Sequence, residues 1–196
     1  MEKFYLEVPS ISRKEEAIEF INEFYKENSP INGTGGLQRY LDDYEGWLEK
    51  LESDYNRIAD EDKVPARTYF LVRSNDNKII GCINIRLALN EKLRNSSGNI
   101  GYCIRPSERG KGYNKINLYL GLKICKEYGL DRVLLDAVDS NIASWKTMED
   151  LGGVKINERY SEEDQEKLRF YEIDVNNSLE NNSQIYENLI EHTKKI

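Results

Sequence analysis

Residues 100–114 read Ile-Gly-Tyr-Cys-Ile-Arg-Pro-Ser-Glu-Arg-Gly-Lys-Gly-Tyr-Asn, and no other stretch constrains the fold as much. Ile100–Ile104 is a short apolar run, the signature of a buried strand. Pro106 has no amide hydrogen to give a ladder, so the strand stops near Arg105. Gly110 and Gly112 bracket Lys111 in a tight turn. Beyond it Tyr113, Ile116, Leu118, Leu120, Leu122 and Ile124 fit a largely buried helix. A helix start carries backbone N–H groups without intrahelical partners, and glycine places no Cβ before them. Such a strand–turn–helix junction binds anions. Arg109 and Lys111 add positive charge, so a diphosphate is the natural guest. An ordinary βα connection uses the same residues, so the turn alone leaves both readings open. A Walker-type loop is excluded, because no glycine precedes a Gly-Lys-Ser/Thr at the required spacing.

The chain is long enough, at 196 residues, for one domain with a sizeable core. Hydrophobic residues make up 39% and charged residues 32%, a globular balance with a polar surface. The net charge of −7 argues against a nucleic-acid partner. Cys82, Cys103 and Cys125 each sit alone in an apolar run, with no CxxC pair. That pattern predicts buried thiols in a reducing cytoplasm, with no metal and no disulfide framework. The N-terminus has no signal-peptide core, and no apolar run is long enough for a bilayer, so no membrane partner is expected.

In order, Phe4, Leu6 and Val8 alternate as a first strand. A helix is predicted over Arg13–Lys26, with Ser12 as N-cap and Glu15 completing a capping box. Residues 28–36 form a glycine-rich loop, and Leu37–Ala59 holds one or two helices with Trp47 on the apolar face. Thr68–Arg73 and Lys78–Leu89 pair as a hairpin, the second strand with a core face and a polar face. The strand 99–105 and its helix follow, closed by Gly129. Arg132–Ala137 is a strand, Ser140–Ser144 starts a helix ending at Gly152-Gly153, and Val154–Arg159 and Phe170–Val175 form a last hairpin. The expectation is an α/β fold of mixed, mostly antiparallel sheet with helices on both faces. Residues 1–175 make one domain and 176–196 an extension. In the extension the Asn-Asn-Ser repeats read as loop, and Tyr186, Leu189, Ile190 and Thr193 as a short amphipathic helix.

The Arg109-Gly-Lys-Gly112-Tyr-Asn114 stretch resembles the acyl-CoA pyrophosphate loop of the GCN5-related N-acetyltransferase (GNAT) family. That pattern is Arg or Gln, two residues, Gly, one residue, then Gly or Ala. Asn114 stands in the last slot, a residue that tolerates unusual backbone angles better than most. The element order over residues 65–175 is also that of the GNAT fold. Gly98–Arg109, Asp139–Ser144, Gly152-Gly153 and Ile31–Leu37 are similar to an uncharacterised bacterial subgroup of predicted acetyltransferases.

The resemblance implies an acetyl-CoA-dependent N-acetyltransferase in which an amine attacks the thioester directly. It puts the cofactor on Ile104, Arg105, Arg109, Gly110, Lys111, Gly112, Tyr113, Asn114, Asn141 and Ser144. It puts an oxyanion-type backbone donor at Cys103 or Ile104, where the family strand splays from its neighbour. Asn141 reads equally well as the N-cap of the next helix. The family's usual tyrosine acid falls at Met148, which has no proton to give, so water, another tyrosine or no general acid at all stands in its place; Tyr102 on the central strand is the tyrosine chosen, and it reads equally as a core aromatic. Asp136 and Asp139 are candidate bases, with Asp139 also a turn residue; His192 lies in the tail, and Cys103 has no nearby histidine to make it a nucleophile. The acceptor site is expected at Asn32, Gly33, Trp47, Asn84 and Arg86, with Arg86 placed for a carboxylate or phosphate. A small-molecule primary amine is the expected substrate, and a homodimer is compatible with the sequence. A peptide amine, or acyl-CoA binding without transfer, are the rival readings.

Overall fold

Period-two alternation between residues 66 and 104 produces antiparallel pairing with both faces covered. The computed structural model describes residues 2–162 and 165–191. Strand β1 (Phe4–Glu7) is followed by helices α1 (Lys14–Lys26) and α2 (Tyr44–Tyr55). Then come β2 (Ala66–Arg73), β3 (Lys78–Arg86), a one-turn helix α3 (Glu91–Arg94) and β4 (Ile100–Ile104). Helix α4 (Tyr113–Glu127), β5 (Arg132–Val138), α5 (Ile142–Asp150), β6 (Val154–Ser161), β7 (Glu166–Asp174) and α6 (Val175–Tyr186) complete the chain. One sheet runs β1-β2-β3-β4 and the other β5-β7-β6, antiparallel throughout.

Two apolar layers sandwich the first sheet. Ile83, Ile85, Ile100 and Ile104 pack under α4, and Cys82, Cys103, Phe70 and Val72 pack under α1 and α2. The face of β3 expected to be polar is therefore covered as well. Helix α4 is buried almost all round because α6 closes its far side: Tyr119 lies against Tyr186, and Lys123 pairs with Glu187.

The two sheets touch at one point and diverge from it. Asn99 donates its amide to the Leu134 carbonyl at 2.6 Å and accepts the Leu134 amide on Oδ1 at 2.9 Å. Its Nδ2 donates to the Arg86 carbonyl at 3.1 Å, so one side chain ties β3, β4 and β5 together. Past this join no ladder links β4 to β5 among the described residues.

Four expectations are corrected, among them a plain loop over residues 91–98. Ser12 does not cap α1: Ile11–Arg13 is a 3-10 turn running straight into the helix, and the Ser12 hydroxyl meets that of Ser10. Residues 91–98 contain α3, capped by Asn90 through the Leu93 amide. The asparagine-rich stretch is helix, not loop. Asp174 caps it, Asn181 and Asn182 bond one turn back, and its buried Val175, Ser178 and Tyr186 face the core, so packing outweighs weak propensity. The stripe expected at the end of the chain breaks into a 3-10 turn at Glu187–Leu189 and a bridge from Ile190 to Phe4. Thr193 and His192 lie outside the described residues.

Candidate active site

The divergence of β4 from β5 opens a cleft of about 810 Å³. Its walls are β4, the start of α4, helix α5 and the loop around Asn32. Two bonds fix which backbone groups of β4 face it. Arg105 donates its amide to Ile80, and Arg86 donates to the Asn99 carbonyl. Antiparallel pairing alternates, so the odd residues of β4 bond to β3 and the even ones turn away. The Ile104 amide therefore points into the gap between the sheets. The Cys103 amide does not, which corrects one of the two expected donors. Arg105 is corrected too: its amide and carbonyl are spent on Ile80 and Glu108, and its guanidinium is 1% exposed, held by Ile79, Glu19 and Glu23.

The glycine turn forms an open cradle. Gly110 and Gly112 have φ of +76° and +81°, the left-handed region that glycine enters without a Cβ penalty. A Cβ on either would meet nothing within 4 Å, so the space before the turn is clear. Gly112 is the N-cap of α4 and uses no side chain there. Tyr113 and Asn114, in the first turn where helix amides lack intrahelical partners, line the cleft beside it. The Tyr113 side chain does not bind in the cleft; its hydroxyl bonds Glu2 and its ring packs on Phe4.

The two cations act differently. Arg109 lines the cleft, anchored through Nε to the Ile104 carbonyl and Nη2 to Ser29, with its guanidinium over Phe24. Lys111 is not in the lining. Its Nζ lies 2.7 Å from Glu108, which sequence reasoning had passed over. Glu108 is buried and also meets Arg73 at 3.0 Å and Lys78 at 3.2 Å. Burial opposes its charge, but hydrogen bonds from Lys111, Arg73 and Lys78 outweigh it and hold the carboxyl at about 2. The visible signal was a lone acid inside a cationic loop.

Asn114 donates Nδ2 to Thr147, while its buried Oδ1 has no partner among the described residues. Asn141 caps α5 through Oδ1 and the Ser144 amide, and the residue also lines the cleft. Tyr102 reaches across from β4 to α5, where its hydroxyl meets the Ser144 carbonyl at 3.2 Å and Oγ at 3.1 Å. Burial pushes its phenol well above the usual tyrosine value. Cys103 is also driven up by burial, to about 12, which leaves it a thiol. Met148 lies buried on the cleft floor. Asp136 lines the cleft, whereas Asp139 is salt-bridged to Arg169.

Of the expected acceptor residues, Asn32, Gly33 and Arg86 line the cleft. Trp47 does not. It is wholly buried between α2 and β2, with its indole donating to the Gly35 carbonyl. Asn84 is turned to Thr68, with Nδ2 at 2.9 Å from Oγ1, and is also outside the lining.

A split sheet, a glycine cradle at a helix start and a strand amide facing the gap meet in this one cleft. The family described as "Acetyltransferase (GNAT) domain" matches residues 9–154, and the chain belongs to it. It is accordingly an acetyl-CoA-dependent N-acetyltransferase. Mycobacterium smegmatis RimJ in complex with CoA-disulfide superposes with TM-score 0.68 at 14% identity, over 92% of this chain and 89% of that one. Ribosomal-protein-S5-alanine acetyltransferase from Vibrio fischeri gives 0.65 at 18% identity, over 89% and 94%. Mutant forms of the spermidine/spermine N-acetyltransferase SpeG from Vibrio cholerae give 0.63 at 14% identity, over 91% and 98%. Likeness at these identities is one of fold. No curated protein matches the sequence. No helix among the described residues is long and apolar enough to cross a membrane.

Proposed function

We propose that the chain moves the acetyl group of acetyl-CoA to the primary amine of a small molecule in the cleft between β4 and β5. The observation that carries this reading is the continuity of the open cradle at Gly110–Gly112 with the Ile104 amide on one wall of one cleft. The residues suit the cofactor. The cradle presents backbone donors and the Arg109 guanidinium to a diphosphate, and the buried Oδ1 of Asn114 lacks a donor that an amide N–H could supply. When bound, acetyl-CoA supplies an activated thioester carbonyl.

The protein's part is positional and electrostatic. Arg109 and the amides of Gly112, Tyr113 and Asn114 hold the diphosphate. Asn141, fixed by its capping bond, offers Nδ2 to the arm of the cofactor. The Ile104 amide donates to the carbonyl oxygen as charge builds there. Tyr102, whose hydroxyl rests on the Ser144 carbonyl, turns its proton from that bond to the departing thiolate, and the proton that the attacking amine releases restores the phenol. Residues 1–175 constitute the catalytic unit, with α6 packed on it as an extension.

The test is calorimetry with CoA, followed by thiol release from acetyl-CoA over a panel of amines. Arg109→Ala and Gly112→Val weaken CoA binding at least tenfold without unfolding the chain. Wild-type affinity in both variants overturns the site. A specific observation favours one other reading: Met148 fills the slot of the family's usual proton donor, as fits a domain that binds acyl-CoA without transfer. CoA binding with no thiol release on any amine would establish that alternative.

A further inference from the structure

The cleft's two ends differ in charge chemistry. At the cradle end, anion binding is provided for by Arg109 and the glycine turn. The other end lies beside the Asn99 join, where the Arg86 side chain enters the lining. Ile100–Ile104 separates the two, about 17 Å at the usual rise per strand residue. A diphosphate seated at Gly112 therefore does not engage Arg86.

Arg86 is only partly spent on the fold. Its Nη1 donates to the carbonyls of Ser97 and Gly98 at 3.1 and 3.0 Å. Nε and Nη2 have no protein acceptor among the described residues, and neither is sealed off as a buried orphan. Arg86 itself lines the cleft, so two donors without a protein acceptor stand at its wall. The guanidinium cannot shed its charge as a lysine can, so burial costs it directly. Burial is the largest influence on it, and the opposing influence is the charge of Asp136 in the same cleft. The other cations of the lining serve elsewhere: Arg109 stands at the cradle end, Lys115 pairs with Asp150, and Lys146 lies over the Trp145 ring.

A fixed cation with two unspent donors, at the end of the cleft away from the cradle, suits an oxyanion. It also disfavours a second positive charge there. We propose that the acceptor is a small amine that also carries a carboxylate or phosphonate-type group, and that Arg86 holds that group through Nε and Nη2. The transfer step rests on the function proposed above; the binding step does not.

Two measurements separate them. Thiol release is followed with glycine, β-alanine and γ-aminobutyrate, with their primary amides, with aminomethylphosphonate, and with spermidine. Binding of the same compounds to the CoA-loaded protein is followed by calorimetry. The oxyanionic amines are expected to exceed their amides about tenfold to a hundredfold in kcat/KM or in affinity. Arg86→Gln, whose amide can still donate to Ser97 or Gly98, removes that preference and leaves CoA affinity unchanged; Arg86→Lys keeps part of it. The carboxylate and phosphonate arms tell which oxyanion is taken. Oxyanionic amines that bind through Arg86 without being acetylated uphold the binding step, and the transferase reading falls if the amides and spermidine release no thiol either. A preference for amides or spermidine in the wild type, no binding of any oxyanionic amine, or a preference that survives Arg86→Gln overturns it.

Discussion

A Cβ built on Gly33 would stand 2.3 Å from the carbonyl oxygen of Gly101. The loop after α1 thus lies backbone to backbone on β4, over the mouth of the cleft. Gly33 also has φ of +68°, so contact and conformation both demand glycine. Gly33→Ala is expected to cost about 1–3 kcal/mol from backbone strain alone. It should also raise the KM for the amine, because the loop must lift. CoA affinity should change less, since the loop reaches the cradle through the Ser29–Arg109 bond and not at Gly33. Urea unfolding with paired KM measurements checks this; a wild-type midpoint and amine KM would sink it.

Glu108 should make stability depend on acid in a defined window. Its carboxyl is held near 2 in the fold, against about 4.3 in an unfolded chain. A depressed carboxylate contributes stability that is complete above the unfolded value and lost as pH falls through the folded one. The gap corresponds to about 3 kcal/mol. Glu108→Gln should therefore be less stable than wild type by that order at neutral pH. The difference should persist to about pH 5 and close toward pH 2. Other acids titrate in both proteins, so the difference between the two unfolding curves isolates this group. A difference that does not change with pH would refute the charge network as its source.

These two residues mark how far the sequence could be read. The strands, α4 and the glycine turn were legible because alternation, helical spacing and glycine act over a few residues. Glu108 was not, because Arg73 and Lys78 lie 35 and 30 residues away. Trp47 and Asn84 were misplaced for a related reason: spacing says a side chain shares a face but not whether that face is covered. Arg105 looked like a cofactor contact by its place next to Ile104, yet strand alternation sends its backbone the other way. Helix α6 was missed because its asparagines are poor helix formers, and the Asp174 cap and packing on α4 compensate.

Cys103 should be inert. With its thiol pushed up to about 12, roughly one molecule in ten thousand carries a thiolate at pH 8. Iodoacetamide should label it only after unfolding, and Cys103→Ala should keep kcat within about twofold, since a buried thiol acts as a small hydrophobe. Rapid native labelling at this position with loss of activity would contradict the assignment.

Tyr102→Phe tests the proton donor. The hydroxyl makes its bonds to Ser144, and losing them should cost about 1 kcal/mol of stability. If the phenol delivers the proton to the thiolate, kcat should fall about tenfold to a hundredfold with CoA affinity unchanged, a modest effect because a thiolate is a fair leaving group. Burial raises the phenol above its ordinary value, so the acid form, the one that donates, persists as pH rises. The wild-type rate should accordingly show no alkaline fall from tyrosine ionisation up to about pH 10. An undiminished kcat in Tyr102→Phe would reduce Tyr102 to a strut between β4 and α5 and leave water to protonate the leaving group.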